Sequence, residues 1–331
     1  MENEATKASS LRWRILRQAL LRRRPPQPPD DESEIGIERI SRKAVNGFNL
    51  IPCCLVNDDD ADDHSASSSK SNRPREATVC YTLPVEGAPK LFLTQRMDSL
   101  ANLDDFEICN KYDIDNTGLV CKFTLCFHEI VPPQVCQWPS EDVLAYFCLS
   151  HADMFRSKRV IELGSGYGLA GLVIAAVTEA SEVIISDGNP QVVNYIERNI
   201  NANSGAFLGT KVKSVTLHWN HDKIANMSNT FDLVVASDCT FFKEFHKGLA
   251  QIVKCLLKKV GPSEALFFSP KRGDSLDKFL EQIKENGLQF SITENYDAEI
   301  WKRHQRFMNG DTSWTSYQKD HCYPLLIRIS R

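Results

Sequence analysis

The sequence lacks any long apolar run: over its 331 residues no stretch approaches the ~18 apolar residues that a membrane-spanning helix needs. An excess of one charge is also missing, since 39 Lys and Arg stand against 43 Asp and Glu and leave a net charge of −4. That balance excludes a chain that binds a polyanion over its whole surface. The first residues include two acids, Glu2 and Glu4, and no apolar segment, so no secretory signal is expected. With 42% hydrophobic residues, the composition is that of a globular protein with one large domain or two modest ones.

Paired cysteines are missing as well. Eleven cysteines are scattered along the chain without a single CxxC pair. Cys121, Cys126 and His128 lie close together in the sequence, but no second pair of ligands accompanies them, so no metal site is predicted. Scattered thiols are typical of reducing compartments, and we therefore expect a protein of the cytoplasm and nucleus.

The chain divides into three segments of different composition. Residues 1–29 combine apolar residues at helical spacing with arginines and end in a proline-rich stretch. They predict a basic helix that packs on the rest of the protein or docks on an acidic partner or a membrane surface. Residues 30–137 form an extension with short β-strand patterns, interrupted by the acidic, serine-rich stretch 57–77, which is expected to be disordered. Residues 138–331 form the main domain.

Strands and helices alternate through the main domain. Its strand patterns fall at Arg159–Leu163, Val183–Ser186, Val212–His218, Leu233–Ser237, Ala265–Ser269, Phe290–Glu294 and Tyr323–Ile329. Its helical patterns fall at Val143–Ser150, Leu169–Glu179, Pro190–Asn203, Lys243–Lys259 and Ser275–Glu285, and the polar stretch 297–320 receives no helix. The extension carries strand patterns at Phe48–Ile51, Thr78–Tyr81 and Lys90–Leu93. Apolar strands separated by helices predict an α/β fold, with a parallel sheet covered by helices on both faces, plus a small β-rich N-terminal extension.

The strongest local pattern is a glycine-rich turn between the first of these strands and the helix that follows it. The sequence from Glu162 reads Glu-Leu-Gly-Ser-Gly-Tyr-Gly and continues to Gly171. Glycines permit a tight turn and let a ligand approach the backbone at the N terminus of a helix, where N–H groups are free. Counted from Gly166, the spacing is the GxGxxG of dinucleotide-binding sites. Counted from Gly164 and preceded by Glu162, it is the GxGxG of S-adenosylmethionine-dependent methyltransferases, so the glycines alone leave the ligand open.

An aspartate stands at the tip of the next strand. Asp187 follows Ser186 directly, and a carboxylate at this position accepts hydrogen bonds from both hydroxyls of a ribose. The alternative is a turn or helix-capping aspartate, since Gly188, Asn189 and Pro190 come next.

Further candidates follow other strands. Ser237 ends a strand and leads into Asp238-Cys239-Thr240-Phe241, at the edge where ligands bind in open α/β sheets; a plain turn is the alternative. Trp219 follows the preceding strand and either packs on an adenine ring or belongs to the core. Trp138, just before the first helix of the main domain, is assigned to the pocket wall.

These patterns together resemble the seven-strand protein-lysine methyltransferases, which carry an Asp-x-x-Tyr/Phe motif at this strand exit and a Trp-Pro upstream. Other stretches are similar to the calmodulin-lysine N-methyltransferase family: Arg12–Gln18, Phe48–Leu50, Asp115–Gly118, Trp138–Glu141, Pro270–Gly273, Glu294–Asp297 and Tyr323–Leu326. The family runs almost directly from Asp-Asn-Thr-Gly to Trp-Pro-Ser-Glu, whereas this chain carries an additional segment at 122–136.

The resemblance implies a Rossmann-like seven-stranded methyltransferase sheet and transfer of methyl groups, up to three, from S-adenosylmethionine to a lysine of calmodulin. It implies a monomer that binds no nucleic acid and that meets its acidic substrate with basic residues, Arg12–Arg24, Lys271 and Arg272. The residues implied for catalysis, which would line the lysine channel, are Asp238, Phe241 and, more weakly, Tyr296. The residues implied for S-adenosylmethionine binding are Trp138, Glu162, Gly164, Ser165, Gly166, Gly168, Asp187, Gly188, Asn189, Trp219 and Ser237.

Three other functions stay open at this point. A methyltransferase for another protein lysine or for a small molecule fits the same patterns. An NAD-dependent oxidoreductase explains the glycines but not the Asp-Cys-Thr-Phe at the strand exit. A binding module without catalysis is the remaining class.

Overall fold

A computed structural model describes residues 47–56, 76–96, 139–219, 224 and 226–331. Its first three strands form an antiparallel sheet in the order β1-β2-β3, with bounds β1 (Cys53–Leu55), β2 (Glu76–Thr82) and β3 (Lys90–Arg96). The strands predicted at 78–81 and 90–93 are thereby confirmed. The stretch predicted to be disordered, 57–77, lies outside the described residues except for Glu76 and Ala77. These two belong to β2, because they pair with Arg96 and Gln95 of β3.

The segment Phe48–Ile51, for which a strand was predicted, is irregular instead. Its backbone N–H groups pair with a carboxylate rather than with another strand: Leu50 N and Ile51 N donate to the two oxygens of Asp142 at 2.9 and 3.3 Å. A buried carboxylate thus satisfies backbone groups that a neighbouring strand would otherwise have to satisfy. The apolar residues in this segment indicated burial, and the strand prediction was wrong.

The larger sheet contains seven strands in the order β6-β5-β4-β7-β8-β10-β9. The bounds are β4 (Arg159–Leu163), β5 (Glu182–Asp187), β6 (Lys211–Thr216), β7 (Leu233–Ser237), β8 (Glu264–Ser269), β9 (Gln289–Thr293) and β10 (Leu325–Ser330). Strands β4 to β8 are parallel, and β10 lies antiparallel between β8 and β9. The predicted parallel arrangement is thus confirmed for β4 to β8 but does not hold for β10. Because the connection over 294–324 stays at the edge where β9 ends, β10 has to run back in the opposite direction.

Helices cover both faces of this sheet, as predicted. Their bounds are α1 (Pro139–Ser150), α2 (Leu169–Val177), α3 (Pro190–Ala202), α4 (His246–Leu256), α5 (Ser275–Glu285), α6 (Ala298–Met308) and α7 (Lys319–Cys322). Side chains along each strand alternate between two cores: Val160 and Val235 pack with α1, α2 and α3, whereas Ile161 and Val234 pack with α4 and α5. The α/β fold with a seven-stranded, Rossmann-like sheet is confirmed.

Helix α6 occupies the polar stretch in which no helix was predicted. Its N-terminus is capped by Asp297, whose Oδ1 accepts hydrogen bonds from Glu299 N and Ile300 N at 2.9 and 3.1 Å. Only Ile300 and His304 of this helix are buried. The apolar face of the helix is therefore narrow. Within the described ranges, none of the helices has both the length and the apolar character that a bilayer crossing requires.

The small sheet is attached to the larger domain by two buried asparagines, Asn199 in α3 and Asn203 directly after this helix. Asn203 Oδ1 accepts from Phe92 N at 2.8 Å, and Asn203 Nδ2 donates to Phe92 O at 2.7 Å. Asn199 Oδ1 accepts from Thr94 N at 2.8 Å, and Asn199 Nδ2 donates to Tyr167 O at 3.1 Å. These amides satisfy the free edge of β3 and connect the small sheet to the glycine-rich turn. The predicted domain boundaries at residues 29 and 137 fall outside the described residues and stay predictions.

Candidate active site

The glycine-rich turn joins β4 to α2 and holds three glycines in the left-handed conformation. The φ angles are 59° at Gly164, 55° at Gly166 and 83° at Gly168. A residue with a Cβ atom costs about 1–2 kcal/mol in that conformation. At Gly171, one turn into α2, an added Cβ would lie 2.7 Å from Glu162 Oε2. The sequence therefore needs glycine here, and the backbone of the turn is left bare.

Side chains from two other strand ends lie against this turn. A Cβ added to Gly164 would come within 2.7 Å of Cys239 Sγ and 3.1 Å of the Trp219 ring. The thiol of Cys239 also donates to Leu163 O at 3.3 Å. The structure thus brings Trp219 and the chain leaving β7 to the glycine turn, although they are far apart in the sequence.

Three carboxylates surround the turn, and each accepts a backbone hydrogen bond from it or from the start of α2. Glu162 Oε2 accepts from Gly171 N at 2.8 Å. Glu141 Oε1, at the start of α1, accepts from Leu169 N at 3.1 Å. Asp187 Oδ2 accepts from Gly166 N at 3.2 Å. Backbone N–H groups at a helix N-terminus thus hold three acids in one small region.

Burial and mutual repulsion raise the pKa of two of these acids. Burial raises the pKa of Glu141 to about 8, and the charges of Asp142 and Asp187 add to the effect. Burial likewise raises the pKa of Glu162 well above its usual range, with further contributions from Glu141 and Asp187. A ligand that brings positive charge would reverse both effects, because a nearby cation favours the ionised carboxylate.

Unused polar atoms complete this part of the site. Glu162 Oε1 and Ser165 Oγ are buried and have no hydrogen-bond partner in the part of the chain that the structure describes. Buried polar atoms are rarely left without hydrogen-bond partners in native proteins, so these two atoms fit a ligand with hydrogen-bond donors and acceptors. In the described ranges, no cluster of three His, Cys, Asp or Glu residues is arranged to hold a metal ion. The two unused polar atoms and the three carboxylates fit an organic ligand that carries positive charge.

Asp187 is placed as the turn interpretation predicted, and its ribose-binding role stays a prediction. Its Oδ1 accepts from Asn189 N at 2.8 Å, as expected of a turn aspartate, while its Oδ2 faces the glycine turn. Asn189 is buried and caps α3 by accepting from Gln191 N at 2.9 Å. Gly188 lies between them, and the half-buried Ser237 ends the neighbouring strand β7.

The exit of β7 carries an ion pair that is largely shielded from solvent. Asp238 Oδ1 lies 2.5 Å from Arg272 Nη1, and Arg272 Nη2 donates to Asp238 Oδ2 at 2.7 Å. The two side chains are only 10% and 14% exposed, respectively. The guanidinium carbon of Arg272 also lies 5.3 Å from the centroid of the Phe241 ring, within cation–π distance. The structure thus brings Asp238 and Phe241 together, with a cation between them.

Aromatic rings connect this exit to the glycine turn. Phe241 contacts Phe242 at 4.7 Å between ring centroids, Phe242 contacts Phe245 at 6.2 Å, and Phe245 contacts Trp219 at 6.1 Å. All three contacts have edge-to-face geometry, which favours a fixed arrangement of the rings. The series extends from the ion pair to the ring that lies against Gly164.

Tyr296 lies behind the strand exit. Its hydroxyl donates to Pro324 O at 2.7 Å, and its ring packs on Phe268 and Tyr323 at 5.3 and 6.0 Å. Burial raises the pKa of this phenol well above its usual range. The placement favours packing, and the channel role inferred from the resemblance stays a prediction.

The contacts that two residues of the site make in the structure were not predicted from the sequence. Glu141 belonged to a stretch quoted for the resemblance, but its spacing does not connect it with the glycine turn. Arg272 was predicted to be a cation facing the substrate, not the partner of Asp238. Only the packing of α1 on α2 and the convergence of two loops reveal these contacts. Trp138 and the additional segment 122–136 lie outside the described residues.

Comparisons with known proteins agree with this geometry. A family model described as lysine methyltransferase, Methyltransf_16, matches residues 134–286. The calmodulin-lysine N-methyltransferase of Arabidopsis thaliana is 60% identical over 330 residues, which span 100% of this chain and 99% of that protein. Protein N-lysine methyltransferase METTL21A of Danio rerio is 26% identical over 49% of this chain and 71% of that protein. Protein-lysine methyltransferase METTL21E of Mus musculus is 29% identical over 45% of this chain and 61% of that protein.

Proposed function

The chain belongs to the calmodulin-lysine N-methyltransferase family and is an S-adenosylmethionine-dependent methyltransferase, and we propose that its acceptor is the side-chain amine of a calmodulin lysine. The observation that carries the proposal is the strand edge itself. There, a bare glycine turn with three carboxylates lies beside the exit of β7, which carries the half-buried Asp238 and the ring of Phe241. One half suits a positively charged nucleoside, and the other suits a long side chain that ends in nitrogen.

The glycine turn is the proposed site of the cosubstrate. When bound, S-adenosylmethionine supplies a methyl group on a positively charged sulfur. Asp187 is suited to accept the ribose hydroxyls, and Glu141 and Glu162 are suited to face the positive charges. The other residues proposed to line this site are Gly164, Ser165, Gly166, Gly168, Gly188, Asn189, Trp219, Ser237 and, from the sequence alone, Trp138.

Asp238 and Phe241 are proposed to orient the lysine amine. Methyl transfer is a direct displacement, in which the lysine nitrogen forms a bond to the methyl carbon as the carbon–sulfur bond breaks. The protein therefore has to align two groups and exclude water. The nitrogen has to be neutral, which costs ~4.6 kcal/mol at pH 7 for a lysine of ordinary pKa. After the first and second transfers, the methylated nitrogen releases a proton to water and becomes neutral again, whereas a third transfer gives a quaternary ammonium that carries no proton. Tyr296 is a further, weaker candidate for the channel.

Several finer properties belong to the same proposal. Transfer of up to three methyl groups and a monomeric enzyme follow from the resemblance to the family. A location in the cytoplasm and nucleus is supported by eleven cysteines without a CxxC pair. A contribution of the basic residues within 1–29 to binding acidic calmodulin is supported by their charge.

Mass spectrometry tests the acceptor directly. Purified full-length protein is incubated with calmodulin and S-adenosylmethionine, and the calmodulin mass is expected to increase by one to three methyl groups on a single lysine. The Asp238→Asn variant serves as the control for contaminating activity. Methylation of other proteins but not of calmodulin would contradict the acceptor. Binding of NAD in place of S-adenosylmethionine at equilibrium would support the oxidoreductase.

A further inference from the structure

The backbone conformation and the backbone hydrogen bonds of both residues position the Asp238–Arg272 pair. Asp238 and Arg272 both adopt left-handed backbone conformations, with φ angles of 58° and 44°. Each is fixed by its own backbone, since Asp238 N donates to Phe268 O at 2.9 Å and Arg272 N donates to Asp320 O at 2.8 Å. Strained backbone at residues other than glycine is typical of functional sites. The fold therefore maintains this contact against a conformational cost.

A carboxylate alone would conflict with the chemistry proposed above. An isolated negative charge beside a lysine stabilises its ammonium form, whereas methyl transfer needs the neutral amine. Asp238 is therefore suited to bind the lysine side chain, but on its own it would keep the nitrogen protonated and thus unreactive. A cation next to the carboxylate removes this conflict.

We infer that Arg272 is a positioning residue for methyl transfer: it cancels the charge of Asp238, so that the substrate lysine is bound as a neutral amine. The inference rests on the proposed function. The carboxylate has about four lone-pair sites, so a bidentate guanidinium leaves room for a hydrogen bond from the amine. The guanidinium also lies over Phe241, which keeps the cation beside the proposed lysine channel. A fixed positive charge there disfavours a second one on the lysine.

The other titratable groups near the pair do not replace Arg272 in this role. Among the described residues, Cys322 on α7 interacts with both charges, and burial raises the pKa of its thiol, so that it stays neutral near pH 7. Lys243 and Asp274 pair with each other. Lys271 on the same loop as Arg272 is exposed. The bidentate cation on Asp238 is Arg272.

The pH dependence of a single transfer tests this inference. Full-length enzyme in excess is mixed with calmodulin and saturating S-adenosylmethionine, and the rate of first methyl transfer is followed by intact mass from about pH 6 to pH 10. In Arg272→Met, the rise in rate with pH is expected to move upward by about one pH unit, because the lone carboxylate favours ammonium. The rate at pH 7 then falls about tenfold, and the difference disappears at high pH. Arg272→Lys, which keeps the charge, is expected to restore most of the profile.

Matched controls separate this effect from others. Lys247→Met removes an exposed cation from α4 that has no role in the proposed site, and it is expected to leave the profile unchanged. S-adenosylmethionine affinity is expected to be unchanged in all three variants, which verifies folding. Two results for Arg272→Met would overturn this inference but not the proposed function. One is a rate that falls by the same factor at every pH; the other is an unchanged pH dependence of the rate combined with tighter calmodulin binding. Wild-type enzyme inactive on calmodulin at every pH would overturn the proposed function and, with it, the inference.

Discussion

The two halves of the site treat their carboxylates in opposite ways. At the glycine turn, Glu141 and Glu162 are held beside Asp187, and burial and repulsion raise the pKa of both glutamates. At the exit of β7, Asp238 is only 10% exposed, but Arg272 cancels its charge. The glycine turn thus favours the binding of a cation, whereas at the exit of β7 the negative charge is already neutralised by Arg272. The difference matches the reaction, because the cosubstrate carries positive charge and the reacting lysine must not.

The largest effect is expected at the strand exit. Asp238→Ala is expected to lower kcat/KM for calmodulin methylation by about a thousandfold, ~4 kcal/mol, because the group that orients the amine is lost. S-adenosylmethionine binding is expected to survive, since the carboxylate of Asp238 pairs with Arg272 and not with the glycine turn. Mass spectrometry gives the rate and calorimetry gives the affinity.

Two variants serve as controls for this result. Asp277→Ala removes an exposed carboxylate from the first turn of α5 and is expected to keep full activity. Asp238→Asn keeps the shape of the side chain and an acceptor for Arg272, in case the alanine variant does not fold. Full turnover by purified Asp238→Ala would refute the role of this half of the site.

The carboxylates of the glycine turn should make stability depend on pH. The pKa of Glu141 is raised from 4.5 to about 8, so the folded protein retains a proton that the unfolded chain releases between these values. The free energy of unfolding is therefore expected to fall as pH rises through this window, by up to about 1.4 kcal/mol for each pH unit. Bound S-adenosylmethionine should flatten the decline, because its charge favours ionised carboxylates. Thermal unfolding at a series of pH values, with and without the cosubstrate, measures both effects.

The Glu141→Gln variant is the control for that measurement. Glutamine keeps an oxygen that accepts from Leu169 N but does not titrate. Its melting temperature should decline less with rising pH than that of the wild type. An equal decline in both proteins would show that other groups cause it.

A neutral replacement of the other buried acid should separate binding from stability. Glu162→Gln keeps the volume and an acceptor for Gly171 N but loses the charge. S-adenosylmethionine affinity is expected to fall about tenfold, ~1.4 kcal/mol. The Tm of the ligand-free protein is expected to be unchanged or higher, because glutamine is neutral without binding a proton, whereas burial penalises the ionised form of Glu162. Glu197→Gln, at an exposed position on α3, should change neither quantity. Unchanged affinity with a lower Tm would mean that Glu162 serves only the fold.

The smallest effect is expected behind the strand exit. Tyr296→Phe loses the hydrogen bond to Pro324 O, at a cost of about 1 kcal/mol of stability. Denaturant unfolding measures this loss, and the rate of methyl transfer should stay within about twofold. A large loss of rate at unchanged stability would instead assign Tyr296 to the lysine channel.

Much of the fold follows from local patterns. The bounds of β4 and β7 agree with their prediction, because each is an apolar run that ends at a glycine turn or an aspartate. Helix α6 did not follow, since only Ile300 and His304 of its residues are buried and the remainder reads as a polar loop. The direction of β10 did not follow either, because an apolar strand has the same pattern whether it runs parallel or antiparallel.

Local patterns in the sequence predict the glycine turn, the acid before it and the strand tips that meet at one edge of the sheet. These features are local: left-handed backbone calls for glycine, and a strand tip is set by where its apolar run ends. Tertiary structure alone decided that Glu141 reaches the start of α2 and that Arg272 reaches Asp238. Such contacts join loops and helices that no periodicity relates, and their energies depend on burial, which arises only when the elements pack together.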